Sequence, residues 1–207
     1  MDCELGILKT VVPQNVTEEE LKLFMMVCEK YKLDPFTKEI VMTKQNDKIN
    51  FITTRDGYLK IAMQDENFDG IISAVVKEGD EFEIDASRSE VKHKFGAKRG
   101  AILGAWAMAR HKKRPPVIVF VDFYEYFQNT PTWRQYPSAM IQKVAEVAAL
   151  RRQFNISGLV AKEEIVAEQE VSEQIERSVE HEKDSTASQT LKSIDEPQDV
   201  LDRPQGG

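Results

Sequence analysis

The chain has 207 residues, 41% of them hydrophobic and 30% charged, with a formal net charge of −7. That is enough apolar material for one good core, and no apolar run approaches the roughly 20 residues needed to span a bilayer. Two cysteines make no disulfide framework, and His93, His111 and His181 stand at no zinc-ligand spacing.

The first residues lack the cationic start and long apolar stretch of a signal peptide, so the expectation is a soluble, cytoplasmic protein without a membrane segment. The net charge conceals a division. Residues 1–165 hold 24 Lys plus Arg against 24 Asp plus Glu, whereas residues 166–207 hold 4 against 11. Within the balanced part, residues 88–114 carry Arg88, Lys92, Lys94, Lys98, Arg99, Arg110, Lys112, Lys113 and Arg114 against Glu90 alone. Clustered cations of this kind suit phosphate binding, because each contact releases condensed counterions.

In chain order, Thr17 followed by Glu20 makes a capping box. Leu21, Phe24, Cys28 and Tyr31 continue it as an amphipathic helix to about Lys32, stopped by Pro35, which disfavours helical geometry at the residue before it. Cys28 serves there as a small hydrophobe. Residues 36–44 and 48–53 read as a hairpin around 45–47. Thr54 or Asp56 caps a second helix to about Glu66 despite Gly57 in its first turns, and residues 67–70 stop it.

A strand-rich middle follows: 71–77, 81–86, 90–95, 102–110 and 117–123, separated by Gly- and Pro-marked loops. We read an antiparallel meander. Alternation puts Val91, His93 and Phe95 on one face and Lys92 and Lys94 on the other. The cations crowd that face and the turns 97–100 and 111–114, which nominates Lys92, Lys98, Arg99, Lys112 and Arg114 as nucleic-acid contacts.

Pro137 suits the start of a third helix, with Met140, Val144, Val147 and Ala148 as its buried stripe. At about 100° per residue, Arg151 lies roughly 80° around this helix from Lys143, and Arg152 falls near the opposite side. Trp133, just before it, is either a base-stacking residue or a lid on the core. Residues 162–183 read as a charged helix extension and the rest as disordered. The fold class is therefore α+β, an antiparallel β-meander packed with α-helices, in residues 1–165, followed by a flexible acidic tail in residues 166–207. No Gly-rich phosphate loop supports ATP use.

Several blocks occur together in one order: Glu29-Lys30-Tyr31-Lys32-Leu33-Asp34-Pro35-Phe36-Thr37-Lys38-Glu39-Ile40, Arg55-Asp56-Gly57-Tyr58, Asn67-Phe68-Asp69-Gly70, and Trp133, Pro137, Met140, Lys143, Ala145 and Arg151 with Phe154. In these the chain resembles the RecT/Bet family of phage recombination proteins from about Leu21 to Glu164. The resemblance implies ATP-independent annealing of complementary strands through binding to single-stranded DNA and annealed duplex. It also implies a homo-oligomer in the form of rings or helical filaments, work beside a phage exonuclease and a host single-strand binding protein, and action in the bacterial cytoplasm. It carries over Lys38, Lys143 and Arg151 as DNA contacts, and Arg152 is placed with them as a neighbouring cation. No cofactor is required, with Mg²⁺ left as an optional aid to DNA binding or annealing. The chain departs from the family pattern at Phe36, where some relatives have Trp, at Val160, often aromatic, and at Asn155-Ile156, which replaces a common proline.

Two rival readings use other residues. Glu90-Val91-Lys92, with Asp69, Asp80 and Asp85 upstream, fits the outline of a metal-dependent nuclease in which carboxylates hold Mg²⁺ and the lysine activates water. Alternatively, the acidic tail makes the chain an interaction module, binding a basic partner or competing with DNA.

Overall fold

The computed structural model describes residues 8–45 and 48–161; the acidic tail and the centre of the first hairpin turn lie outside them. Helix α1 (Glu18–Tyr31) begins at the capping box that its sequence announces: the Thr17 hydroxyl accepts from the Glu20 N–H at 3.2 Å, and the Glu20 carboxylate accepts from the Thr17 N–H at 2.8 Å. Its end is set by Lys32, left-handed at φ 54°, whose N–H reaches the carbonyls of Cys28 and Glu29. That closure comes before Pro35 can act. Leu21 and Phe24 are buried, and Phe24 packs on Phe51 with ring centroids 5.4 Å apart. Burial pushes the Cys28 thiol up to about 11, which keeps it protonated and unreactive.

Strands β1 (Ile40–Gln45) and β2 (Lys48–Thr53) pair antiparallel from Ile40↔Thr53 to Gln45↔Lys48, and the short β8 (Val160–Ala161) adds to β2 in parallel. The expected strand at residue 36 starts only at Ile40, because the residues before it fold into a hydrogen-bonded loop. Helix α2 (Arg55–Met63) takes Thr54 as its cap, with the hydroxyl accepting from the Gly57 N–H at 3.3 Å.

The second sheet has the order β3-β6-β7, from β3 (Phe68–Lys77), β6 (Ile102–His111) and β7 (Arg114–Asp122). β4 (Glu81–Asp85) and β5 (Glu90–Lys94) form a hairpin of their own. The antiparallel α+β architecture is as expected, but the five strands do not pair strictly in chain order. β6 returns beside β3, and the hairpin between them is left to fold over one face.

On the other face Val75, Ala105 and Val121 align across the strands, as do Ser73, Ala107 and Val119. Ala105, Ala107 and Ala109 in the central strand are fully enclosed. Their small side chains let helix α5 (Pro137–Gln153) approach the sheet closely. Met140, Ile141, Val144, Ala145, Val147, Ala149, Leu150 and Gln153 are all buried, which at 100° per residue covers almost the whole circumference. The stripe read from the sequence is too narrow, and Ala148, expected within it, is only half-buried. A helix apolar nearly all round is one enclosed by its neighbours. The helix ends without the family's proline: Asn155 adopts φ 51°, the Ile156 N–H donates to the Arg151 carbonyl at 3.0 Å, and Ile156 is buried. Between β7 and α5 lie two short helices, α3 (Phe123–Tyr126) and α4 (Pro131–Gln135).

The β4–β5 hairpin is held on the sheet by a polar clasp. The enclosed Asp80 carboxylate accepts from Arg99 Nε at 2.8 Å and Nη2 at 2.7 Å, and from the N–H groups of Gly96 and Lys77. His93 Nε2 lies 3.1 Å from the same carboxylate, and the Trp106 indole N–H donates to His93 Nδ1 at 2.9 Å. Since an indole can only donate, Nδ1 must accept, which places the ring proton on Nε2, facing Asp80. Arg99 also donates to the Val75 carbonyl and stacks 4.2 Å over the Phe95 ring.

The Arg99 guanidinium, with the two backbone N–H groups and His93, holds the Asp80 carboxyl well below the usual carboxylate range. The folded state therefore favours the ionised form. Its contribution is complete above the unfolded carboxylate value of about 4 and is lost progressively as pH falls below it. In urea unfolding followed by tryptophan emission, the wild type should lose stability between pH 5 and pH 3 more steeply than Asp80→Asn, which lacks this titration; equal slopes would show that the clasp does not set the acid response.

Candidate nucleic-acid interface

The loop before β1 shows how the quoted sequence block folds. Asp34 organises it: its side chain accepts from the Phe36 N–H at 2.8 Å, and its carbonyl accepts from the Glu39 N–H and the Thr37 hydroxyl. Lys38 takes φ 60°, the left-handed conformation that turns the chain. Phe36, Thr37 and Lys38 are exposed at the apex.

Glu39 fastens this loop to α2. Its carbonyl accepts from the Thr54 N–H and hydroxyl, and its carboxylate accepts from the Asp34 N–H at 2.7 Å and pairs with Lys60 at 2.6 Å. Burial alone would raise the Glu39 carboxyl, but the Lys60 ammonium and the Asp34 N–H hold it below its usual range. Gly57 is required here because a Cβ at that position would stand 2.2 Å from the Glu39 carbonyl oxygen.

The opposite side of α2 meets α5. Arg55 Nε lies 3.3 Å from Glu146 Oε2, while Glu146 Oε1 accepts from the Ser73 hydroxyl at 2.6 Å and Gln142 donates to Ser73 at 2.8 Å. One turn before Glu146 stands Lys143; in α5 only Ala139, Lys143 and Arg152 are exposed. Further along, the Arg151 guanidinium lies 5.9 Å from the centroid of the Tyr58 ring, whose hydroxyl donates to the Leu159 carbonyl.

Lys38 and the pair Lys143 and Arg151 thus belong to two segments, the loop before β1 and α5, that each abut α2. Arg55 and Lys60 of α2 stand beside them but are paired, Arg55 with Glu146 and Asp56 and Lys60 with Glu39. Sequence reasoning did not single out these two, although Arg55 opens one of the quoted blocks. Arg152 is exposed but turned about 180° from Lys143 around the helix, so the two cannot face one groove.

The cations of residues 88–114 behave otherwise. The hairpin register sets Glu81 opposite Lys94 and Glu83 opposite Lys92, with ion pairs of 3.4 and 3.6 Å. Arg88 meets Asp85 at 3.7 Å, Arg110 meets Asp69 at 3.8 Å, Lys113 meets Glu66 at 3.7 Å, and Arg99 is spent on Asp80. Lys112 donates to the Glu66 carbonyl at 2.9 Å. Exposed pairs like these add little stability, but each carboxylate cancels the field of its cation. Lys98 and Arg114 are exposed and form no ion pair among the described residues. Of the nine cations in this linear window, six meet carboxylates, three of them on β4 and the others at Asp80, Asp69 and Glu66.

Trp133 is buried at 2% exposure against Phe123 and Phe127, with ring centroids 6.2 and 6.0 Å away. It is the lid of the core, and its faces are not open to a base. The nuclease constellation is likewise dispersed. Asp80 is saturated by the clasp, Lys92 is paired with Glu83, and Asp85 holds its own turn through Ser87 and Arg88. Among the described residues no group of three or more His, Cys, Asp or Glu is placed to hold a metal ion, and no helix is long and apolar enough to cross a membrane.

The sequence model of the RecT family matches residues 5–180. No curated protein matches the chain.

The joint between the loop and α2 should be sensitive to a single methyl group. Gly57→Ala drives a Cβ into the Glu39 carbonyl and the Thr53 methyl, so it should cost about 1–3 kcal/mol in denaturant unfolding. A variant as stable as the wild type would mean that the loop is not clamped there.

Proposed function

The chain belongs to the RecT family of phage single-strand annealing recombination proteins, and from that premise we propose that it binds single-stranded DNA through the cations around α2 and anneals complementary strands without ATP. The observation that supports this reading is that Lys143 is exposed on α5, whose Arg151 lies over Tyr58 of α2, while Lys38 is exposed at the apex of the loop that Glu39 fastens to α2. Annealing brings two polyanions together, so a cationic surface must offset their repulsion while the base edges stay free to pair. Contacts to phosphate and sugar position a strand without reading its sequence, which suits an activity that must accept any complementary pair.

One copy offers few such contacts. Head-to-tail assembly into a ring or helical filament links these weak sites and raises affinity without any new chemistry. In this reading residues 1–165 form the annealing domain and residues 166–207 an acidic appendage. The work is done in the bacterial cytoplasm, beside a phage exonuclease and the host single-strand binding protein, with Mg²⁺ at most an aid.

A fluorescence assay with two complementary oligonucleotides and no ATP tests the proposal. Wild type should accelerate annealing, Lys143→Ala/Arg151→Ala should lose the acceleration, and Lys92→Ala/Lys94→Ala should retain it. The first double variant should also flatten the logarithmic salt dependence of single-strand affinity by about 1.4, since each lost phosphate contact accounts for about 0.7. No acceleration by wild type, or equal loss in both variants, would reject the α2-centred interface.

A further inference from the structure

The segment from β7 to α5 is rich in aromatic residues, and the structure divides them sharply. Phe123, Phe127 and Trp133 pack on one another. Tyr136 does not join them. It is 56% exposed, and among the described residues its ring has no aromatic or cationic partner and its hydroxyl no hydrogen bond. Its backbone is nevertheless fixed: the N–H donates to the Thr132 carbonyl at 2.8 Å, and its carbonyl accepts from the Met140 N–H at 3.1 Å as α5 begins. A largely exposed aromatic side chain on a fixed backbone needs no backbone ordering to receive a base.

Its position on the helix gives the ring a context. Tyr136, the N-cap of α5, precedes Lys143 by about two helical turns, roughly 10 Å along the axis. Between them lies Ala139, also exposed and no larger than a methyl group. The only outward strip of the first half of α5 is therefore aromatic, small, cationic. A strand held by its phosphate at Lys143 would lay a base along the methyl-floored gap toward the Tyr136 ring. Stacking on an aromatic face tolerates every base, as this activity requires.

We propose that Tyr136 is a stacking platform for an unpaired nucleobase of the strand whose phosphate Lys143 binds. The proposal rests on the DNA-binding reading above and names a contact that reading lacks. Trp106 and Trp133 are buried at 8% and 2% exposure, so the full chain carrying Tyr136→Trp gains one exposed indole against a quiet background.

The variant is titrated with an oligodeoxythymidine and with an abasic oligonucleotide of the same length, and binding is followed in parallel by anisotropy of end-labelled strands. The oligodeoxythymidine should quench the new emission, and the abasic strand, which keeps the phosphates, should bind with little quenching. Tyr136→Ala should weaken oligodeoxythymidine binding about 5- to 150-fold with an unchanged salt slope, whereas Lys143→Ala should flatten the slope. Tyr136→Phe, which retains the ring, should bind as wild type. Saturated binding without a change in emission, or wild-type affinity in Tyr136→Ala, overturns the platform and leaves the DNA reading standing. No binding by wild type overturns both. Should Tyr136→Ala fail to fold, the emission and Tyr136→Phe results still decide.

Discussion

Enclosure of α5 is the constraint on which the rest of the structure depends. Three alanines in the central strand of the β3-β6-β7 sheet leave room for a helix to lie close against it, and the helix answers with buried side chains around most of its surface. Each fully buried aliphatic side chain contributes about 1.5–3 kcal/mol relative to exposure, so this layer dominates the core. The same packing rations the helix's outlets. With so few positions open to solvent, Lys143 acquires its location from the packing of its neighbours rather than from an amphipathic pattern.

The polar joint of Arg55, Glu146, Ser73 and Gln142 connects this core to the surface. It ties α2, α5 and β3 at one point, where the half-buried Glu146 carboxylate accepts from the Ser73 hydroxyl and faces, as an ion pair, the Arg55 guanidinium, whose Nε makes no hydrogen bond among the described residues. A half-buried pair of this kind gives more geometric definition than net stability, because desolvation offsets much of its attraction. Its consequence is positional. The start of α2 is held between the Asp34–Glu39 loop and α5, and the cations that each segment brings are held with it.

The β4–β5 hairpin uses charge for a different end. Glu81 and Glu83 of β4 face Lys94 and Lys92 of β5 across the ladder, while Asp85 stands opposite Glu90; the two opposite-charge pairs are the antiparallel counterpart of a complementary helix pair. Asp80 and Arg99 close its base, and Arg99 also occupies the Val75 carbonyl. Such an element buries few apolar groups, so a clasp has to hold it to the sheet.

Much was legible in the sequence. The capping box at Thr17, the two hairpins, the strand alternation around His93 and the start of α5 at Pro137 depend on periodicity and on local backbone chemistry, and these operate over a few residues. Three-dimensional facts were not legible. That β6 pairs with β3, that Glu81 and Glu83 meet Lys94 and Lys92 across the hairpin, that Trp133 is a lid while Tyr136 is exposed, and that Arg55 meets Glu146 all depend on contacts between residues remote in the chain. Local propensity determines which elements form, whereas register and close packing decide which charges cancel and which side chains are left facing water.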